Sequence, residues 1–180
     1  MLNFQDLYES YATDVYRFAF WLAGDGFEAE DVTSETFVRA WASNSPIRTE
    51  TLKAYLFTIA RNVYLERQRK RKREVILEDV YSDPAPGPDK LMEYRLELQQ
   101  VQRVLQTLPE IDRAAFILRV QHELPYAEIA RALELSLSAA KVKYTAFVRS
   151  CSLSVPTRRV IDYGNHTECS SRFAAAVFGW

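Results

Sequence analysis

Residues 51–74 read TLKAYLFTIARNVYLERQRKRKRE and carry two different patterns in one continuous segment. In the first half, apolar side chains recur every three or four residues, which is the spacing of one face of an α-helix. In the second half, six of the seven residues from 67 to 73 are basic. A helix with an apolar face at one end and clustered cations at the other suits a polyanion, although a solvated charge run would look the same. The apolar positions are Leu52, Tyr55, Leu56, Ile59, Ala60 and Val63.

The composition is that of a folded helical protein. The chain has 180 residues, of which 48% are hydrophobic and 13% aromatic, and it contains only five glycines. This length accommodates one medium domain or two small ones, and the scarcity of β-branched runs argues against sheets. The formal net charge is −1, so the cations of residues 67–73 are a local feature that acids elsewhere balance. We therefore expect an all-α protein.

The cysteines and the N-terminus indicate a cytoplasmic protein. Cys151 and Cys169 form neither a CxxC pair nor a disulfide framework. The N-terminus has acids and tyrosines where a signal peptide requires cations and then an apolar run, and no apolar stretch approaches membrane-spanning length. Cys151, His166 and Cys169 are too few and too scattered for a structural zinc site. We expect no metal, no cofactor and no membrane insertion.

Helical periodicity extends through the residues before this segment. It predicts helices at 3–23 and at about 27–42, with a break at Gly24–Gly26. In the second of these helices the pattern places Trp41 on the inward face and Glu28 nearer the solvent.

The residues after the basic segment indicate a linker and a second helical region. The sequence SDPAPGPDK contains three prolines and a glycine, which predicts an extended linker. Further on, a short helix from Pro125 to Leu133, a tight turn and a helix capped by Ser136 or Ser138 have helix-turn-helix spacing, although an ordinary helical hairpin is the alternative. The predicted organisation is two small helical domains, 1–74 and 91–150, joined by a Pro-rich linker, 75–90, and followed by a tail, 151–180, that has no assigned role.

Four blocks of this sequence together resemble the extracytoplasmic-function sigma factors, which are small bacterial initiation factors of RNA polymerase. EAEDVTSETFVRAW (28–41) is similar to the family's core-polymerase-binding helix, and KAYLFTIARN (53–62) with the basic residues after it to its promoter −10 helix. LPEIDRAAFILR (108–119) and YAEIARALELS (126–136) resemble its −35-binding domain. The resemblance covers about residues 4–149. It implies a sigma factor that binds core RNA polymerase and directs promoter-specific transcription initiation.

The resemblance also implies the residues that bind each partner. Asp31, Glu35 and Arg39 are spaced by four on one helix face and would meet a coiled coil of the largest polymerase subunit, with a merely solvated face as the alternative. The polar loop at 43–50 would capture a −10 base, because extruded bases require pockets with hydrogen-bonding groups. The implied DNA contacts are Asn44, Arg61, Arg67, Arg69 and Arg71 at −10, and Arg113, Ser138, Lys141, Lys143 and Arg149 at −35.

The second half departs from the family pattern at Glu134, at Lys143 and at Thr145, Ala146 and Val148, which stand where the family usually has basic residues. Glu134 stands at the turn where the family usually has glycine, and a left-handed conformation there would cost about 1–2 kcal/mol. Lys143 replaces an arginine, so the bidentate fork that reads guanine is lost. We therefore expect the −35 contacts to fall mainly on phosphates.

The sequence contains no nucleophile–base pair, Gly-rich phosphate loop or metal cluster, so we expect neither an enzyme nor a small-molecule substrate. The leading interpretation is a sigma factor whose partners are core RNA polymerase and promoter DNA. The family also implies an anti-sigma factor, which no residue here indicates by itself. The alternatives are an autonomous helix-turn-helix regulator that binds operator DNA without polymerase, and a helical adaptor with an incidental charge run.

Overall fold

The computed structural model describes residues 3–43, 52–74, 99 and 101–154, and at 74 and 146–154 it describes only the backbone. Within this part of the chain all regular structure is helical, which confirms the predicted all-α class. No helix found there is long and apolar enough to cross a membrane. Asn44 with the rest of its loop, the Pro-rich linker and the end of the tail lie outside the described residues.

Three helices form an N-terminal group, α1 (Phe4–Ala23), α2 (Gly26–Ala42) and α3 (Leu52–Glu74), in which each helix contacts the other two. Their bounds lie within one residue of the predicted ones. The start of α3 lies beside the end of α2, where Ser43 Oγ is 2.9 Å from Tyr55 Oη. The end of α3 lies beside the start of α2, so these two helices run antiparallel.

Local side chains set the ends of the first two helices. The Asn3 side chain caps α1 by accepting a hydrogen bond of 2.7 Å from the Asp6 backbone N–H. Asp25 caps α2 in the same way, because its side chain accepts a hydrogen bond of 2.7 Å from the Glu28 backbone N–H. Gly24 ends α1 in the left-handed region, at φ 79°, which an L side chain rarely adopts.

The second half of the chain forms a C-terminal group. Residues 101–107 are helical, and three further helices follow: α4 (Glu110–Val120), α5 (Tyr126–Ala132) and α6 (Leu137–Ser154). Helices α4, α5 and α6 contact one another. The short α5, the turn and α6 reproduce the predicted helix-turn-helix segment.

The turn between α5 and α6 has a left-handed residue at the position where the family usually has glycine. Glu134 has φ 55°, in the region that favours glycine. The turn is closed by a hydrogen bond of 2.8 Å from the Leu135 N–H to the Ala130 carbonyl. Of the two serines proposed as caps, Ser136 starts α6, since its Oγ accepts a hydrogen bond of 3.2 Å from the Ala139 N–H.

The buried side chains of both groups form one continuous hydrophobic cluster. Across the boundary, α1 contacts α4, and α3 contacts α5. Helix α3 is therefore buried on two faces, one toward α1 and α2 and the other toward the C-terminal group. The largest fully buried side chains include Phe18, Phe37, Phe57, Leu118 and Ile129.

Two expectations about α2 are wrong. Trp41 is 56% exposed rather than inward, because it lies at the end of the helix, where its ring packs edge-on against Phe4 at 5.6 Å. Glu28 is only 3% exposed rather than solvated, because α3 brings the guanidinium groups of Arg67 and Arg71 to its carboxylate. Periodicity within α2 contains no information about either neighbour.

Candidate nucleic-acid and partner-binding surfaces

The outer face of α2 is exposed and partly apolar. Phe27 and Val38 are 83% and 63% exposed. Asp31, Ser34 and Trp41 are exposed along the same face at helical spacing. A row of uncovered large apolar side chains interrupted by a carboxylate is typical of a surface that binds another protein.

The predicted polymerase-binding residues occupy different environments on this helix. Asp31 stays exposed, although Arg67 Nη2 lies 2.5 Å from its carboxylate. Arg39 bonds Glu35 Oε1 at 2.5 Å within α2 and Glu66 Oε2 at 2.7 Å on α3. These hydrogen bonds raise the pKa of Arg39 and lower the pKa of Glu66. Arg39 therefore connects α2 to α3, and Glu35 pairs with it within α2.

The exposed apolar residues of α2 were missed by the sequence reasoning. A signal for Val38 was available, since it lies on the face of Asp31 and Ser34 rather than on the buried stripe. Phe27 could have been identified in the same way. The exposure of Trp41 depends on how far the core extends along α2, which one sequence does not specify.

The basic segment of α3 divides into two sets. Arg67 Nε bonds the buried Glu28 carboxylate at 3.0 Å, and Arg71 bonds the same carboxylate from the next turn. The hydrogen bond to Glu28 raises the pKa of Arg67. These two guanidinium groups hold α3 against α2. The other cations, Arg69, Lys70, Lys72 and Arg73, are exposed, and the bound Arg71 is itself 55% exposed at its side chain.

Arg61, also predicted to contact −10 DNA, faces the C-terminal group. Its Nε and Nη2 donate to the two carboxylate oxygens of Glu110 at 2.7 and 2.9 Å. The two side chains are only 14% and 19% exposed. In this arrangement the guanidinium fork of Arg61 is occupied by a carboxylate.

The predicted −35 residues of α6 differ in exposure. Ser138 and Lys141 are exposed, and Val142 beside them is 64% exposed. Lys143 is half-buried, with its Nζ 3.0 Å from Asp112 Oδ1 on α4. The side chain of Arg149 lies outside the described residues.

The placement of Arg113 disagrees with its predicted role. Its side chain lies in the interior, only 6% of the residue is exposed, and its Nη1 donates to Gln106 Oε1. Burial lowers the pKa of Arg113. Periodicity does not predict this, because residues 112–118 of α4 are all buried and no exposed face separates Arg113 from the apolar residues. As placed here, Arg113 does not reach a DNA phosphate.

No group of three or more His, Cys, Asp or Glu side chains that could hold a metal ion is present among the described residues. His166 and Cys169 lie outside them, as does the side chain of Cys151.

Two family models match this chain in succession. The model "Sigma-70 region 2" matches residues 7–74, and "Sigma-70, region 4" matches residues 98–146. The first covers the three helices of the N-terminal group, and the second covers α4, α5 and the first half of α6.

Several bacterial proteins are similar in sequence. The ECF RNA polymerase sigma factor SigE of Mycolicibacterium smegmatis is 32% identical over 146 residues, which cover 78% of this chain and 57% of SigE. The chain therefore spans little more than half the length of that relative. SigM of Bacillus subtilis, also an ECF RNA polymerase sigma factor, is 29% identical over 75% of this chain and 84% of its own. SigX of Bacillus subtilis is 30% identical over 149 residues, which cover 77% of this chain and 76% of SigX.

A solved structure is similar in fold. The sigma factor RpoE, in a co-crystal with the anti-sigma factor NepR from Bartonella quintana, matches with a TM-score of 0.69 and 26% identity. The match covers 87% of this chain and 98% of that one. With both region models matched in order and relatives aligned across both, the chain belongs to the extracytoplasmic-function family of RNA polymerase sigma factors.

Proposed function

We propose that this chain is a dissociable initiation subunit that binds core RNA polymerase, recognises −10 and −35 promoter DNA, and thereby directs where transcription begins. The observation that carries the proposal is the ordered match of regions 2 and 4 to the two helical groups. The relatives named above are sigma factors, which are initiation factors rather than catalysts. The protein would act in the cytoplasm, where the polymerase and the promoters are, and would perform no covalent chemistry itself.

The exposed face of α2 is the proposed polymerase-binding surface. Asp31 would supply charge there, and Val38 and Trp41 would supply the apolar area that is covered on binding. Exposed aromatic side chains are frequent at positions that dominate binding energy. Glu35 and Arg39 would contribute less directly, because their ion pairs with each other and with Glu66 fix the orientation of α2 on α3.

The exposed cations at the end of α3 are the proposed −10 contacts. Of the arginines predicted to contact −10 DNA at this end of α3, Arg67 and Arg71 bond the buried Glu28 carboxylate, whereas Arg69 is exposed. Each phosphate that such a residue neutralises adds about 0.9 to the slope of log affinity against log salt on duplex DNA. Arg67 and Arg71 would support this surface by holding the helix in place. Asn44 remains a predicted base contact of the loop at 43–50.

The outer side of α6 is the proposed −35 contact. Ser138 and Lys141 would bond backbone phosphates or base edges in the major groove. Val142 offers an apolar surface that can contact a thymine methyl group, so base preference here need not depend on an arginine fork. Lys143 can contribute only if it leaves Asp112, and Arg149 remains a predicted phosphate contact.

An anti-sigma factor is a further proposed partner. The similar RpoE structure contains the anti-sigma factor NepR bound to the sigma factor. An inhibitor of this chain would have to cover at least one of the surfaces named above.

In vitro transcription with purified core polymerase tests the proposal. Because the promoter is unknown, the template is a pool of genomic fragments, and new transcript ends are mapped with and without the chain. We expect a small set of transcription start sites that appear only when the chain is present. A matched variant, Lys141→Ala, should reduce this initiation while leaving the folded helix content unchanged.

The same purified chain distinguishes the alternative function. An autonomous regulator would retard specific duplex fragments in the absence of polymerase and would create no new transcript ends. That result would contradict the proposed sigma activity, whereas polymerase-dependent starts with little specific binding by the free chain would support it.

A further inference from the structure

Four exposed side chains of helix α6 form one outer face. The side chains described on this helix are those at 137–145, and the exposed ones among them are Leu137, Ser138, Lys141, Val142 and Thr145. At 3.6 residues per turn, positions 138, 141, 142 and 145 fall within about 100° of arc, and these four make up the outer face. In a helix-turn-helix segment, the second helix presents such a face to the major groove of DNA.

The two hydroxyl groups of the outer face are engaged within the chain. Thr145 Oγ1 donates a hydrogen bond of 2.9 Å to the backbone carbonyl of Val142, in the preceding turn. Ser138 Oγ lies 3.1 Å from Ser136 Oγ, which also accepts a hydrogen bond from the Ala139 N–H. A hydroxyl group has a single proton, so the proton of Thr145 is not offered to a base. These hydroxyl groups therefore contribute little to discrimination among bases.

The hydrogen bond of Thr145 leaves an apolar group on the outer face. Because Oγ1 turns back to the helix backbone, the methyl group is the branch of this side chain that is presented outward. Val142 lies three residues earlier, where side chains of a helix are neighbours, and it is 64% exposed. The isopropyl group of Val142 and the methyl group of Thr145 together form an apolar surface on this face.

The exposed lysine of the outer face supplies charge rather than discrimination. Lys141 carries an ammonium group, which is a point charge with rotatable donors. Such a group suits a phosphate oxygen, whereas the paired acceptors of a guanine suit the fork of an arginine. Lys143 is held with its Nζ 3.0 Å from Asp112 Oδ1. The cation at position 141 therefore adds affinity and salt dependence that are nearly independent of the base sequence.

We infer that α6 distinguishes bases at −35 through the 5-methyl groups of thymines, which Val142 and Thr145 contact, while Ser138 and Lys141 contact phosphates. In the major groove, thymine presents a methyl group that cytosine, adenine and guanine lack. An apolar contact with that group favours a T·A pair over a C·G pair without any arginine. The inference rests on the proposed function, because it takes α6 to be the helix that reads the −35 element.

Removal of methyl groups from the DNA tests the inference. A promoter at which the chain directs initiation is synthesised with deoxyuridine in place of thymidine in the −35 element, which keeps every hydrogen-bonding group of the bases. We expect the affinity of the chain–polymerase complex to fall about three- to fourfold for each contacted methyl group, the value for burying one such group. Deoxyuridine in the spacer between the −35 and −10 elements is the matched control and should leave the affinity unchanged.

The opposite change adds a methyl group to a base that lacks one. 5-Methylcytosine carries its methyl group at the same ring position as thymine. Where a T·A pair in the −35 element is replaced by a C·G pair, methylation of that cytosine should therefore recover about three- to fourfold in affinity. Recovery by a methyl group alone would not be expected of a helix that reads the hydrogen-bonding groups of the base.

Variants of the outer face separate a methyl contact from a change in DNA shape. Val142→Ala and Thr145→Ser remove methyl groups from the protein, so each should bring the thymidine and deoxyuridine templates closer in affinity. Thr145→Val keeps a methyl group without the hydroxyl and should preserve the difference between the templates. Lys141→Ala should weaken binding to both templates equally and lower the salt slope by about 0.9. All three positions are exposed, so the helix content should stay constant.

Three results would overturn the inference while leaving the proposed function intact. They are equal affinity for the thymidine and deoxyuridine templates, a −35 element composed of G·C pairs alone, and a loss with deoxyuridine that is undiminished in Val142→Ala and Thr145→Ser. In each case the chain still directs initiation, but its α6 does not read methyl groups. Absence of any initiation that depends on the chain would instead contradict the proposed function, and the inference with it.

Discussion

The basic segment of α3 and the outer face of α6 are the two surfaces proposed to meet DNA, and they are built in opposite ways. On α3 six cations occur within seven residues, yet two of them are bound to a buried carboxylate. On α6 the charges are few, but Lys141 is exposed beside the apolar Val142. The comparison shows that the number of cations in a sequence does not give the number available to a phosphate.

The physical reason for the difference is the position of Glu28. A carboxylate that is 3% exposed must be paired, because an isolated buried charge is strongly unfavourable. Arg67 and Arg71 satisfy that requirement and so belong to the packing of α2 on α3. Among the described side chains of α6, at 137–145, Lys143 pairs with Asp112, and Ser138, Lys141 and Val142 are exposed.

The largest effect is expected when Glu28 loses its charge. Glu28→Gln should lower the free energy of unfolding by about 2–3 kcal/mol, because two guanidinium groups lose a buried partner. Asp31→Asn is the matched control, since Asp31 contacts the same Arg67 but is 60% exposed at the side chain, and it should change stability by less than about 0.5 kcal/mol. Urea unfolding measures both. Equal losses in the two variants would contradict the distinction between buried and exposed pairs.

A smaller effect is expected from the titration of His122 at the contact between the groups. Burial lowers the pKa of His122 from 6.5 to about 3, outweighing the attraction of Asp14, while Lys53 and Arg17 lower it further. As the pH falls, His122 is therefore protonated in the unfolded chain before it is protonated in the folded chain. The stability that His122 contributes is complete above pH 6.5 and declines as the pH falls toward 3. At pH 5.5 the loss should reach about 1.4 kcal/mol.

Unfolding of the parent chain and of His122→Gln across pH 5.5–7.5 checks this expectation. The variant should lack most of the parent's slope in that interval, because the titrating group is gone. Parallel pH curves for the two proteins would show that His122 is not held neutral by the contact between the groups.

Two arginines that lie two residues apart test the division of the α3 cations into those that pack against α2 and those that contact DNA. Arg67→Ala should destabilise the fold by about 1 kcal/mol, because it removes one partner of Glu28. Arg69→Ala should leave stability within about 0.5 kcal/mol but reduce the salt slope of promoter binding by the holoenzyme by about 0.9. Thermal unfolding and a salt titration of DNA binding separate the two roles. If both substitutions acted only on DNA binding, the packing role of Arg67 would be wrong.

The smallest effect concerns the turn before α6. Glu134→Gly should stabilise the chain by about 0.5–1 kcal/mol, because glycine adopts φ 55° without strain but loses more entropy on folding. Glu128→Gly, within helix α5, should instead destabilise by about 1 kcal/mol. Chemical denaturation compares the two. A loss of stability in Glu134→Gly would mean that its side chain makes a contact that outweighs the strain.

The helices could be predicted from the sequence because their signals are local. The periodicity of residues 51–74 gave α3 to within one residue, and the cap and turn residues at Asp25 and Ser136 act within a few positions of their own place in the chain. Local chemistry thus accounts for the helices and for the helix-turn-helix segment.

The environment of the site residues was not predictable in the same way, because it depends on contacts between distant parts of the chain. Arg61 meets a carboxylate 49 residues away, and Arg67 one 39 residues away. The side of α3 that carries Phe57, Arg61 and Tyr64 lies off the apolar stripe of residues 51–74. It is covered by the C-terminal group, a partner that periodicity within one helix does not specify.

The proposed sigma activity requires the α2 face to bind core RNA polymerase. Sedimentation of the labelled chain with purified core polymerase tests it directly. We expect a complex with a Kd below about 1 μM, weakened at least about tenfold when Val38→Asp and Trp41→Ala are combined. Free sedimentation of the parent chain in the presence of excess core polymerase would contradict the account.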